Sequence, residues 1–406
     1  MQLGWIDFSK TERSKILSVL DMLSEAGTLD ELGVAPIRDG FANIFFPGTT
    51  TLQTRAKYFF IVPYILKELE LGRETNPNNV LQTLDQTEKE CAQMFLAQNR
   101  KERGVVGRVA LQRGSWVKQT PAHIYWTGLK RYGIFVGGNL SLSEYVRAGC
   151  AMKAQKSTLK SLGNRNDKAE EGKREQDDRD AGDLFKMQFW KIPTYKPEWK
   201  EKLTIDLTQE EAYFLKRQIT DNCEGSMLAY ILEHDMRQFL ACRSFNDLEA
   251  LTDRFPEQMR KDYRMALEFA DFFYAIQTVY NLIVSDGKNE KANEEYERQK
   301  PYWKQIAVLN LDAMKERLNL YRNTKLFSFL KQAQECMLAD DLEGLKECIA
   351  EREEKLKNQR AKTKRPGEFD TNKWYGGVML DYRFAQAKTM LRDIMESEDK
   401  QNAQSE

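Results

Sequence analysis

Residues 265–283, MALEFADFFYAIQTVYNLI, decide the fold class. Phe269, Phe272, Phe273, Ile276, Val279 and Tyr280 spread apolar side chains nearly all round a helix. A helix of that kind is stable at the centre of a domain, with other helices packed about it. The same period recurs outward from it. Asp206 to Glu211 starts a helix in which Thr208 and Glu211 form a capping box. Thr324 caps a helix over 325–337, and another runs from Leu342 to about Lys362. Towards the N-terminus, Ser9 and Glu12 form a second capping box, before a face of Ile16, Leu17, Leu20 and Leu23 that stops at Gly27. A loop holding Pro36, Gly40, Pro47 and Gly48 covers 34–48. A helix then starts near Thr50 or Thr51 and reaches Leu71, bent at Pro63, and a further one covers Val80 to Gln98.

The chain is therefore expected to be mainly α and multi-helical, in two lobes with minor β. No repeat of fixed period supports a solenoid. Within 100–131, eight basic residues stand against Glu102. There Thr120 caps a helix with Pro121 at its first position, Gly133 stops it, and Ile134-Phe135-Val136 reads as a short strand. That order suggests a helix-turn-helix or winged-helix-like module. Residues 155–182 are almost all polar, with dense mixed charge, and read as a flexible linker. The expected domains are 1–154 and 183–406, joined by it.

Composition narrows the function classes. The chain has 406 residues, with Lys+Arg and Asp+Glu both at 62, so any pull on nucleic acid must come from local basic patches. The cysteines at 91, 150, 223, 242, 336 and 348 form no CxxC pair, and His123 and His234 are the only histidines, which argues against a zinc site. Scattered thiols in a long chain suit a reducing cytoplasm. The opening residues lack a signal peptide's basic start and apolar stretch. The longest apolar run, Tyr58 to Leu66, is too short to cross a bilayer, so no membrane partner is expected. Phosphate-loop, HExxH, GxSxG and dinucleotide motifs are all missing, and no cofactor or metal is expected.

The segment from Pro36 to Tyr58, PIRDGFANIFFPGTTTLQTRAKY, is distinctive. It resembles a bacterial domain-of-unknown-function family found in phage-defence loci, with Ile-Arg-Asp, Phe-Phe-Pro-Gly-Thr-Ser-Thr and Gln-Thr-Arg-Ala-Arg-Tyr motifs. Gly4-Trp5-Ile6-Asp7-Phe8 resembles the family's opening, Gly107-Arg108 and Ile124 to Leu129 its middle motifs, and Arg352-Glu353, Arg360-Ala361 and Leu380 to Arg383 its C-terminal ones. Thr50 replaces the family's Ser, Lys57 an Arg, and Val117 to Pro121 its Leu-Lys-Arg-Leu-Pro run. The resemblance implies a DNA glycosylase that excises glucosylated hydroxymethylcytosine from phage DNA, leaving abasic sites. Base-modified phage DNA and products of neighbouring defence genes are then the expected partners.

The resemblance assigns no catalytic residue, so candidates are read from the chain. A glycosylase flips the base, stabilises a cationic sugar with a carboxylate and grips phosphates. Asp39, in a loop beside Arg38, is the first candidate for that carboxylate; capping or pairing with Arg38 is the bland alternative. Asp7 is the second. Thr49, Thr50 and Thr51 at a helix N-terminus suit a phosphate, and Asn43 and Gln53 a base edge. Arg55, Lys57 and Tyr58 follow on the expected helix. Arg108 and Lys118 interleave with Trp116 and Tyr125 as charge and aromatics do in nucleic-acid grooves. Seven basic residues lie between Arg352 and Arg365, and Lys357, Arg360 and Lys364 recur at helical spacing as a phosphate stripe. A non-catalytic DNA-binding adaptor of a defence nuclease or helicase fits the same features.

Overall fold

The computed structural model describes residues 30–166, 189–193, 195–201 and 203–405, with side chains of 156–166 and 400–405 left aside. The described elements are almost all helical. In chain order they are α1 Ala35–Phe45, α2 Tyr58–Leu71, α3 Pro77–Gln98, α4 Arg108–Gln112, α5 Pro121–Arg131, α6 Leu142–Asn166, α7 Gln209–Asn222 and α8 Met227–Glu233. After them come α9 Glu257–Val284, α10 Glu290–Gln299, α11 Trp303–Ile306, α12 Leu311–Arg317, α13 Thr324–Leu338, α14 Leu342–Lys357 and α15 Phe384–Ser405. The chain is mainly α, as its apolar period requires. The expected strand at 134–136 is a single antiparallel bridge, Phe135 to Trp190.

Two compact units are present, and they are not consecutive blocks of sequence. One holds the described residues up to Ile44 with Ser244–Tyr382; the other holds Phe45–Arg243 and the segment from Arg383 onward. The polar stretch expected as a linker from 155 begins as helix, since α6 continues to Asn166; its remainder from 167, the Ser9 capping box, the first helix and Asp7 lie outside the described residues.

In the first unit α9 is buried along most of its length, as residues 265–283 imply. The α10, α11 and α14 helices pack on it. Its Tyr280 hydroxyl donates to Glu353 Oε1 at 2.8 Å, and Glu353 Oε2 accepts from the Thr363 amide at 3.0 Å. Most of the 34–48 stretch is helix, Ala35–Phe45, and only Phe46-Pro47-Gly48 at its end turns as expected. Asp30 accepts from the Val34 and Ala35 amides at 2.9 and 2.6 Å, so it caps the first turn, where Pro36 costs no hydrogen bond. Ile37, Phe41 and Ala42 bury one face. Gly40 sits inside this helix because Leu318 lies against it: an added Cβ would meet the Leu318 side chain at 3.2 Å.

In the second unit α2 packs on α3 and α5, and α15 on α7. The Thr208–Glu211 capping box starts α7 as expected, with Glu211 N to Thr208 Oγ1 at 3.2 Å. The helix expected from Thr50 or Thr51 starts only at Tyr58, because residues 49–57 are claimed by side chains elsewhere in this unit. The start of α5 rests on Glu88, which is buried and accepts from the Ala122 amide at 2.6 Å. Burial pushes the Glu88 carboxyl up from its ordinary 4.5 to about 8, with the Asp85 charge adding to it.

Folded Glu88 keeps its proton in a range where the unfolded chain has lost it. Its contribution to stability is therefore full below pH 4.5 and is lost as pH rises towards about 8. Urea unfolding of the wild type and Glu88→Gln should give a stability difference that moves in the variant's favour between those limits. A difference independent of pH would contradict the burial argument.

Candidate functional site

The second unit contains a cleft of about 560 Å³ built round Arg55. Arg55 Nε lies 2.9 and 3.0 Å from the two oxygens of Asp393 on α15. Its Nη1 donates to Glu102 at 3.2 Å and its Nη2 to Asp206 at 2.7 Å. The next amide, Ala56 N, donates to Asp393 Oδ2 at 2.8 Å. One guanidinium thus gathers three carboxylates, and the segment that carries it is held as firmly through its backbone. The Tyr125 hydroxyl donates to the Arg55 carbonyl at 2.9 Å and accepts from the Thr54 amide at 2.8 Å. Thr54 Oγ1 donates to the Gly104 carbonyl at 2.6 Å. Gly104 has φ +90°, and a Cβ there would meet Arg55 Cγ at 2.7 Å, so a glycine is needed for the arginine to lie across it.

Asp393 is 4% exposed at its side chain. Burial raises its pKa above the ordinary aspartate range, against the pull of Arg55 and the Ala56 amide. It therefore sits nearer to proton exchange at neutral pH than a surface aspartate does. Gln53 and Gln386 bring side-chain amides to the lining, and Arg103, Arg392 and Glu396 form an exposed rim. Of the ionisable groups lining the cleft, Arg55, Arg103 and Arg392 face Glu102, Asp206, Asp393 and Glu396, an excess of carboxylate. The floor thus favours a cation, while the rim offers arginines to an anion.

Only part of the expected site gathers here. Gln53 and Arg55 line the cleft, and Tyr125 supports it from within the core. Thr49, Thr50 and Thr51 do not cap a helix. Thr49 is buried, with Oγ1 donating to the Phe46 carbonyl at 2.6 Å, and Thr50 Oγ1 faces the Ile124 carbonyl at 3.4 Å. Gln53 Nε2 donates to the Gly48 carbonyl at 3.0 Å. Lys57 and Tyr58 are buried and closed to a DNA backbone. Lys57 Nζ pairs with Glu211 at 2.7 and 2.9 Å, and the Tyr58 hydroxyl accepts from Val106 N at 2.9 Å. Lys118 is exposed and Arg108 half-buried. The short α4 has no buried residue, and α5 is mostly buried, presenting only His123, Thr127 and Arg131 fully to solvent.

The first unit holds the remaining candidates. Asp39 stands in helix α1, not a loop, and its Oδ1 takes the Arg38 Nε at 3.1 Å. Asn43 is exposed on the same helix. The basic stripe does not form, because α14 ends at Lys357 where Asn358 turns to φ +52°. Lys357 instead pairs with Glu31 and Glu353, Arg360 is exposed beyond the helix, and Lys364 pairs with Glu354. Sequence reasoning missed Asp393, Asp206 and Glu102 altogether. The signal was the need of a buried Arg55 for counter-charges, which spacing does not locate.

Residues 1–167 match the model of a family of unknown function (DUF6361). That span includes the 36–58 motif and Arg55, and leaves Asp206, the 352–383 motifs and Asp393 outside it. No curated protein and no solved structure matches the chain. Among the described residues no cluster of His, Cys, Asp or Glu is placed to hold a metal ion, and no helix is long and apolar enough to cross a membrane.

Lys57 separates a structural from a DNA-contacting role. Lys57→Met leaves Glu211 buried and unpaired, and urea unfolding should show a loss of roughly 3–5 kcal/mol. A loss of about 0.5 kcal/mol or less is what a surface contact residue would give, and would contradict the buried pair.

Proposed function

We propose that the chain is a DNA glycosylase that hydrolyses the N-glycosidic bond of a modified base, with the Arg55 cleft receiving the flipped nucleotide. The carrying observation is the buried Asp393 carboxyl, raised in pKa, at a cleft of about 560 Å³. That volume is ordinary for a small-ligand site. Breaking the bond from sugar to base leaves positive charge on the sugar ring, and water then adds at the carbon the base has left. A carboxylate at the floor stabilises that charge or takes the water's proton. The carboxylate excess of the lining suits a cationic transition state. Phosphates need cations outside it, and Arg100, Lys101 and Arg103 are exposed in succession, with Arg103 on the rim. Glucosylated hydroxymethylcytosine in phage DNA, with partners encoded by neighbouring defence genes, follows from the family resemblance and sets the choice of substrate.

A second reading has its own observation. Both Asp393 oxygens already accept from Arg55 and one also from Ala56. A carboxylate so engaged serves to pin the chain, and the protein is then a non-catalytic DNA-binding adaptor.

The two readings separate in one assay. The purified chain, in EDTA, is incubated with DNA carrying glucosylated hydroxymethylcytosine and with unmodified DNA, and free base is measured by mass spectrometry. Release from modified DNA alone is expected, with Asp393→Asn reduced by about 10²–10⁴-fold and Asp39→Asn close to wild type. A folded Asp393→Asn protein releasing base at the wild-type rate would remove Asp393 from the chemistry. DNA binding without release from either substrate would establish the adaptor.

A further inference from the structure

The first unit carries a surface that the cleft does not use. Residues 366–381 contain no helix, yet this stretch is fixed from beneath by three buried amide side chains. Asn281 accepts from the Tyr375 amide at 2.8 Å and donates to the Tyr375 carbonyl at 2.9 Å. Asn289 donates to the Thr371 carbonyl at 2.6 Å, and Gln277 donates to the Gly376 carbonyl. The loop so held displays Phe369, Trp374 and Tyr375, each partly exposed. Trp374 stacks on Tyr274 with ring centres 5.7 Å apart, and its Nε1 donates to the Gly377 carbonyl at 2.6 Å.

Cations lie over all three rings. Lys291 Nζ is 4.9 Å from the Trp374 ring centre and Lys373 Nζ is 5.5 Å from that of Tyr375. Lys362 Nζ is 5.5 Å from Tyr375, and the Arg365 guanidinium is 5.4 Å from Phe369. Lys362 is committed to Glu31 at 2.6 Å, and Arg365 is 3.8 Å from Glu368. Lys291, Lys373 and Arg360 are exposed and have no carboxylate partner among the described residues. One face of Trp374 is taken by Tyr274, and over the Trp374 and Tyr375 rings lie the exposed chains of Lys291 and Lys373.

We propose that this loop is a docking surface for single-stranded nucleic acid, with bases stacking on Tyr375, Trp374 and Phe369 and with Lys291 and Lys373 on the phosphates. A base has a π-face and its backbone a negative charge, so the strand offers a partner to both ring and ammonium at once. An exposed cation–π contact is weak. A lysine can therefore leave the ring for a phosphate when a base arrives. Buried amides keep the rings in place beforehand, which spares the ordering entropy of a loop that folds on binding. The proposal concerns binding by the first unit and does not depend on chemistry in the Arg55 cleft.

The test is fluorescence anisotropy on the full chain with three labelled 20-mers: oligo-dT, the same backbone with abasic spacers in place of bases, and a duplex. Oligo-dT should bind most tightly, and the abasic strand about tenfold or more weaker. Tyr375→Ala should cost a similar factor on oligo-dT and little on the abasic strand. Lys291→Gln and Lys373→Gln, both at exposed positions, should each lower the slope of log affinity against log salt by about 0.7. Equal binding of oligo-dT and the abasic strand would overturn the stacking. Unchanged salt slopes in both lysine variants would overturn the phosphate contacts, even if Tyr375→Ala proved unfolded. Displacement of oligo-dT by poly-glutamate at equal charge would assign the surface to an acidic protein instead. Base release by the Asp393→Asn protein is read in a separate assay, so either proposal can fail without the other.

Discussion

The ion cluster at Arg55 is the constraint on which the second unit depends. A half-buried guanidinium cannot be left without counter-charge, and the three that meet it lie 47, 151 and 338 residues away in sequence. Holding Arg55 against the buried Asp393 is costly unless the bonds are well made. Here they are, because Arg55 spreads its donors over three carboxylates and Asp393 takes a backbone amide as well. The geometry uses the fork of a guanidinium; an ammonium at the same place reaches fewer partners. The cluster also explains why residues 49–57 are not helical. Their side chains bond to carbonyls at 46, 48, 104 and 124 and to carboxylates on distant elements, and these contacts outweigh local helix preference.

Much of the helical framework was legible because its cause is local. The 265–283 run required burial, and α9 is buried. The Thr208–Glu211 box and the Pro121 start lie where capping chemistry puts them. Thr324 proved to be the first residue of α13, with Asn323 before it. Errors arose where a tertiary contact overrode a local signal. Pro36 and Gly40 read as loop residues, but Asp30 capped the helix that contains them and Leu318 took the space beside the glycine. The Lys357–Lys364 spacing implied a stripe that the turn at Asn358 breaks.

The site was legible only as a segment. Gln53 and Arg55 were picked out, and both line the cleft, but their partners on α15 and on the stretch before α7 were not. Charge was the misleading guide: Lys57 and Lys357 look like phosphate ligands in sequence and are each spoken for by glutamates. Exposed cations free of such partners, Arg392 in one unit and Lys291 and Lys373 in the other, drew no attention because their surroundings are set by distant residues. The proposed division of labour follows from that distribution, with chemistry assigned to a carboxylate-rich cleft and strand binding to an aromatic loop beside the exposed Lys291 and Lys373.

Hydrogen–deuterium exchange of an Arg55→Lys protein tests the central role of the cluster most directly. The lysine keeps a positive charge but cannot satisfy Asp393, Glu102 and Asp206 together. Exchange should quicken at 53–58, at 102–106 and along 385–396, while the amides of α9 stay as protected as in the wild type. Unchanged protection in those segments, or a loss spread evenly through α9 as well, would contradict the account.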